Sequence, residues 1–449
     1  MRIESVSNNV RFDLATLLVF GSFVLVLFYS IASAAISVSV DTLEESGRSI
    51  PQAIGRAPVL ATEGTVDAVK WMAKRRQFTI NGVPYGVTGL PFIFYNPNTG
   101  WNSGARIHWA DYRRRPYRYK LTFHSQRSTE GKRKHIFRLR VPRISGTGFG
   151  IRLRASAERN LQTRYYGLGN YSEFRSDWVD PKSDTFKSED YYFYELKEDP
   201  RLIINFLRHI HGPFTLSLGF GLENTKVNSS SSESFLVDQG TPDGVKDGFT
   251  GFVSIAMEWD SRDDEILPSG GSFHEWSYEN SRNSIIGLFF DEIDFRRYTA
   301  THAFFISPYS ERTTFAIRGI FEALAGEVPL YAYGEIGGGQ RVKGLGGSHS
   351  LRGFDTQRFT DDVRFFSNIE VRQFLLDQDW FGQYIELFGA AYCDFGRVWP
   401  DVGDVSLGGM HWSRGAALRL SWDRDLLMRV AFGWSAEQVG IFFDWGNSF

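Results

Sequence analysis

The chain has 449 residues, 52 acidic and 50 basic side chains, a formal charge of −2, 16% aromatic residues, 45 glycines and one cysteine. Mixed charges summing almost to zero leave no electrostatic footprint for nucleic acid, and the lone Cys393 excludes an internal disulfide framework. Beyond the N-terminus no uncharged run approaches the roughly 20 apolar residues that a membrane helix needs.

The N-terminus reads as an export signal. Arg2 and Arg11 precede the uncharged run Leu14–Phe28, and the small residues Ala32, Ser33, Ala34 and Ala35 supply an A-x-A-like cleavage site. Residues 1–34 are therefore expected to be a signal peptide, cut after Ala34 or Ala35, with an uncleaved anchor helix as the alternative. In residues 35–91, Glu44–Gly55 is polar and Ala68–Arg76 has the composition of a short helix. This segment reads as a periplasmic lead-in, a lumen plug or a linker.

From about Tyr95 onward apolar residues recur at every second position. Phe137, Leu139 and Val141 oppose Arg138 and Arg140; Ile151, Leu153 and Ala155 oppose Arg152 and Arg154. Val253, Ile255, Met257 and Trp259 oppose Ser254, Glu258 and Asp260, and Leu418, Leu420 and Trp422 oppose Arg419, Ser421 and Asp423. A polar phase rich in both arginine and carboxylates suits a lumen in which opposite charges pair. Turn signals such as Asn96–Gly100 and Pro268–Gly271 alternate with longer polar loops around Glu173–Asp190 and Val227–Asp247, as two unlike rims require. In the final segment Val439, Ile441, Phe443 and Trp445 share one side of a strand, and Gly440, Phe442 and Asp444 the other. The expectation is an all-β fold over residues 92–449, a transmembrane antiparallel β-barrel of about sixteen strands. An edge strand of a soluble sandwich is the alternative for the last segment taken alone.

No enzyme is expected: nine histidines occur without H-E-x-x-H, and no G-x-S-x-G is present. A lipase barrel with a Ser-His pair is the one catalytic reading left open. The glycine-rich stretch Gly337–Arg352 lacks the Gly-Lys-Ser/Thr of a phosphate-binding loop. No metal or cofactor is expected.

That stretch continues into Leu351-Arg352-Gly353-Phe354, which resembles the V-R-G-F/Y motif of the BamA/TamA superfamily, the bacterial surface-antigen barrels. Tyr392-Cys393-Asp394-Phe395-Gly396 resembles the F-x-D-x-G strand motif of that family, and Asn368-Ile369-Glu370-Val371-Arg372 the strand after its inward loop. Tyr166–Asn170 and Asp260–Asp263, with Pro268 and Gly270, resemble two further recurring segments. Gln438, Gly440, Phe443 and Trp445, with the terminal Phe449, are similar to the signal by which outer-membrane barrels are recognised for insertion. The likeness runs from Tyr95 to Phe449. It implies an outer-membrane location in a Gram-negative bacterium and a Gly-rich loop folded into the barrel.

The residues themselves fit a latch. Arg352 lies on a glycine-flexible loop, and Asp394 takes the polar phase of a strand whose other phase holds Ile385, Leu387, Ala391, Cys393 and Phe395. A guanidinium can clasp a carboxylate through two charge-assisted bonds, with Glu370 as a second acceptor; a solvated Arg352 is the alternative. Family members usually carry periplasmic POTRA modules, and residues 36–91 leave no room for one. The resemblance thus implies a reduced relative acting on polypeptide or lipid at a first–last strand seam, in outer-membrane lipid, beside a separate periplasmic POTRA-type partner or assembly machinery. A passive pore or structural surface barrel is the other reading.

Overall fold

The computed structural model describes residues 76–449 except 81, 97–98, 114–116, 145, 230–231, 241–246, 282–293, 340, 381–382, 425 and 447–448. The proposed signal peptide and the helix proposed within Ala68–Arg76 thus lie outside the described residues, save for Arg76, which opens a strand.

The first strands are β1 (Arg76–Ile80), β2 (Val83–Asn96), β3 (Gly100–Asp111), β4 (Tyr119–Ser128), β5 (Arg133–Val141) and β6 (Phe149–Arg164). Next come β7 (Phe193–His211), β8 (Phe214–Ser229), the short helix α1 (Phe235–Gln239), β9 (Gly248–Asp260), β10 (Gly271–Asn280), β11 (Phe295–Ile306) and β12 (Thr313–Gly326). The connection 327–362 holds α2 (Leu330–Tyr333) and a two-residue pair, β13 (Glu335–Ile336) with β14 (Val342–Lys343). The chain finishes with β15 (Val363–Trp380), β16 (Gln383–Trp399), β17 (His411–Trp422), β18 (Leu426–Ser435) and β19 (Val439–Trp445).

Each long strand pairs antiparallel with the next, and β12 pairs with β15, giving one sheet of seventeen strands. Register pairs run without a gap from β1 to β19, and among the described residues none joins β19 back to β2. Beyond the short β1, β2 and β19 meet through side chains, with the rings of Phe92 and Trp445 5.4 Å apart.

Burial is inverted relative to a water-soluble domain, as a β-barrel in lipid demands. Ile255 on β9 is 53% exposed and Ile441 on β19 69%, whereas Glu258, Glu322, Asp394 and Arg419 are buried. Alternate side chains face lipid and lumen, so the apolar phase looks outward and the charged phase pairs inside. Arg152 donates to both oxygens of Glu258 across the lumen at 2.7 and 2.8 Å. Register fixes this division, because a slip of one residue would send every charge into lipid. The rims differ as well. Connections 212–213 and 307–312 lie at one end of the strands, and the long connections 165–192 and 327–362 at the other.

One boundary needs correction. Strands begin at Arg76 and Val83, inside the segment assigned to a lead-in, and not near residue 92. The reason is composition: β2 carries Pro84, Gly86, Gly89 and Pro91, which break the period-2 pattern. Proline lacks the N–H needed for a ladder and is tolerated at a sheet edge; β1 covers β2 only from Val83 to Val87, so Pro91 lies where β3 is the one described ladder partner.

A charge on the outward phase should be costly. Ile255→Lys, near the middle of β9, should destabilise the barrel by about 2–4 kcal/mol, the cost of a lysine near the bilayer midplane. Ser254→Ala, one residue away on the lumen phase, should change little. The folded fraction in urea, read by heat-modifiable gel migration, measures both.

Candidate functional site

The connection 327–362 folds into the lumen, and local chemistry explains its path. Gly346, Gly347 and Gly353 take φ of 114°, 89° and 113°, a region that side chains avoid. Ser350 pins the turn: its hydroxyl accepts from the Gly346 N–H at 2.8 Å and donates to the Gly344 carbonyl at 3.0 Å. Phe354 then packs with Leu345, Leu351, Phe359, Phe366 and Val398 in a buried apolar cluster, its ring 5.2 Å from that of Phe359. The tip presses against β18. A Cβ on Gly433 would lie 2.6 Å from the Arg352 carbonyl carbon, so only glycine admits the loop there.

This packing delivers Arg352 to its acceptors. Its Nε donates to Asp394 Oδ2 at 2.8 Å, Nη2 to Asp394 Oδ1 at 2.6 Å, and Nη1 to Glu370 Oε1 at 2.5 Å. The Arg352 backbone N–H also reaches Asp394 Oδ2, at 3.1 Å. All three side chains are fully buried, and the guanidinium stacks 3.4 Å from the centre of the Tyr392 ring. Burial disfavours the charge on Arg352, but Asp394 and Glu370 outweigh it and hold its pKa above the ordinary value. The structure thus brings together Arg352, Gly353, Phe354, Asp394 and Glu370 at one place.

Asn368, Arg372 and Arg419, named above for their strands and not for the latch, also take part. Asn368 donates to Asp394 Oδ1 at 2.8 Å and to the Ser350 carbonyl at 2.7 Å. Glu370 Oε2 accepts from Arg372 at 2.8 Å and Arg419 at 2.6 Å. The available signal was spacing: Asn368, Glu370 and Arg372 occupy alternate positions of β15 and therefore one lumen face.

The inward loop also braces the last strands. Gln438 donates to Asp355 Oδ1 at 3.0 Å, and Ser348 to Asp444 Oδ2 at 2.7 Å. Ser435 donates to the Gly353 carbonyl at 2.8 Å. Burial, with Arg429 nearby, pushes His349 down to about 4 against the opposing pull of Asp444, so it is neutral at pH 7.

The terminal-strand residues divide between surfaces. Val439, Ile441 and Phe443 are exposed on the outward phase, while Trp445 packs with Trp422, Leu426 and Met428. Gly440 lies on the lumen side, where a Cβ would sit 3.7 Å from Gly353. Phe449 does not continue the outward aromatic face. After Gly446, at φ 103°, it lies in the lumen against Phe305, 6.0 Å between rings, and its backbone oxygen accepts from Arg372 at 3.0 Å.

A family model described as the Omp85 superfamily domain matches residues 144–436. No curated protein matches the chain. Among solved structures, BamA from Haemophilus ducreyi lacking POTRA domains 1-3 is 12% identical, with a TM-score of 0.48, over 83% of this chain and 74% of its own. CdiB from Escherichia coli is 12% identical with a TM-score of 0.48, over 82% of this chain and 63% of its own. CdiB from Acinetobacter baumannii gives 12% and 0.43, over 82% and 60%. The chain therefore spans less than two thirds of either CdiB chain.

Arg352→Ala and Asp394→Ala should each destabilise the barrel by about 3–5 kcal/mol, since each strands a buried charge. The double variant should fall well short of their sum, measured by urea unfolding. Gly433→Ala touches neither charge yet should expel the loop and give equal protease sensitivity at residues 344–356. Loop docking should also weaken as pH falls from about 6.5 towards 4: the depressed pKa of His349 gives stability that is present above the ordinary value and lost on protonation. Limited proteolysis across that range checks it.

Proposed function

The chain belongs to the Omp85 superfamily, and from that membership we propose that it passes a polypeptide or lipid through the seam between β2 and β19, in the outer membrane of a Gram-negative bacterium and with a separate periplasmic partner. The observation that carries this reading is the manner of closure. β2 and β19 meet through Phe92 and Trp445 without described register pairs, whereas every other neighbouring pair of long strands has a ladder.

Unpaired N–H and C=O groups at a strand edge are a template for another strand. Pro91 removes a donor from the part of β2 beyond β1, while Pro84 lies opposite Thr79 of β1. The edge on the other side, β19, takes its lumen support from the inward loop, through Gln438–Asp355 and Ser348–Asp444. In this reading the latch at Arg352 governs how firmly the seam is held, and transfer proceeds without covalent catalysis. A passive pore has less support, because the loop and its arginine occupy the lumen. A plugged surface barrel remains the second reading.

Cysteines at Phe92 and Trp445, in a Cys393→Ser background, joined by a short bifunctional thiol reagent, should abolish transfer of a reconstituted client while leaving heat-modifiable migration intact. Full activity of the cross-linked barrel would favour the passive reading.

A further inference from the structure

We propose that Arg372, Arg419 and Arg429 form a binding site for a compact inorganic anion, phosphate or chloride, beneath the tip of the inward loop. Nothing in the transfer reading requires this site. It follows from hydrogen-bond donors that the latch leaves unused.

The three arginines form a row with Arg419 at its centre. Arg419 on β17 and Arg429 on β18 are direct cross-strand partners, an arrangement that places like charges where they normally destabilise a sheet. Arg372 Nε and Arg419 Nη2 donate to the same atom, Glu370 Oε2, at 2.8 and 2.6 Å. Arg429 Nη2 donates to the Ser348 carbonyl of the loop at 2.8 Å. All three side chains are at least nineteen-twentieths buried.

Yet Arg372 Nη1, Arg419 Nε and Nη1, and Arg429 Nε and Nη1 find no hydrogen-bond partner among the described residues. Burying charged donors without acceptors is costly, and the nearby carboxylates are already committed. Glu370 serves Arg352, Arg372 and Arg419, Asp394 serves Arg352 and Asn368, and Asp444 serves Ser348 and Arg429. Only donors remain, so the ligand is an acceptor of negative charge. It must be compact, because the loop covers Arg429 through Ser348, and Arg372 is capped by the Phe449 backbone oxygen at 3.0 Å.

Such an anion would be linked to the latch. Arg419 and Arg352 share Glu370, and the loop supplies the acceptor for Arg429, so a bound anion favours the docked loop by quenching repulsion beneath it. A ligand that binds only this form stabilises it in proportion to its concentration.

The test uses the whole barrel, delipidated in detergent, with unfolding midpoints compared in phosphate, chloride and gluconate at one ionic strength. Calorimetric titration with inorganic phosphate and with chloride gives a direct readout. The midpoint should rise by a few degrees in phosphate or chloride over gluconate, with saturable heat in the same salt. The rise should vanish in the Arg419→Gln/Arg429→Gln variant and survive in part in Arg429→Lys. If the double variant does not fold, Arg372→Gln should lower affinity for the anion several-fold. Equal midpoints in the three salts, no heat of binding, or a shift unchanged in the variants would each overturn the site.

Discussion

Everything inside this barrel depends on one buried charge. The Arg352 side chain is fully buried, so it must be met by Asp394 and Glu370 or not be there at all. Breaking the cluster by losing one partner is expensive, because the survivor stays in a low-dielectric interior. That asymmetry makes the loop position nearly binary: docked with all acceptors engaged, or withdrawn with the arginine returned to solvent. The Tyr392 ring beneath the guanidinium and the Asn368 amide beside Asp394 narrow the docked state to a single geometry.

The same economy governs the sheet. A barrel in lipid presents apolar side chains outward, so its polar phase must find partners within, and β9 shows the division in adjacent residues, with Ile255 outside and Glu258 bonded to Arg152 inside. The loop is a continuation of that inner network, not an object dropped into a finished tube. It bonds to β15 and β16 at one side through Glu370 and Asp394, and to β18 and β19 at the other through Gly353, Ser348 and Asp355. The strands next to the seam are therefore supported from within even though the seam itself has no described ladder.

Much of this was legible in the residues. Alternation separates lipid from lumen phases because burial has period two in a strand, and a glycine-rich loop ending in Arg352, with Asp394 on a polar phase, has few other uses. What could not be read has physical causes. The prolines and glycines of β2 erase its pattern, so alternation does not mark where the sheet begins. The need for glycine at 433 comes from a backbone contact between segments distant in sequence, which no local pattern encodes. The pairing of Arg419 with Arg429 depends on register across a hairpin, and Phe449 leaves the aromatic face only because Gly446 turns the chain.

The two sets of loop contacts differ in how much chain separates their partners. Arg352 finds Glu370 at a separation of 18 residues and Asp394 at 42, whereas Gln438 meets Asp355 at 83 and Asp444 meets Ser348 at 96. Shorter closures cost less entropy and tend to form earlier. The arginine cluster needs nothing C-terminal to β16 for its Asp394 and Glu370 bonds. A loop seated on that timetable would already be in place when β18 and β19 arrive, and would serve as the mould that sets the register of the final hairpin.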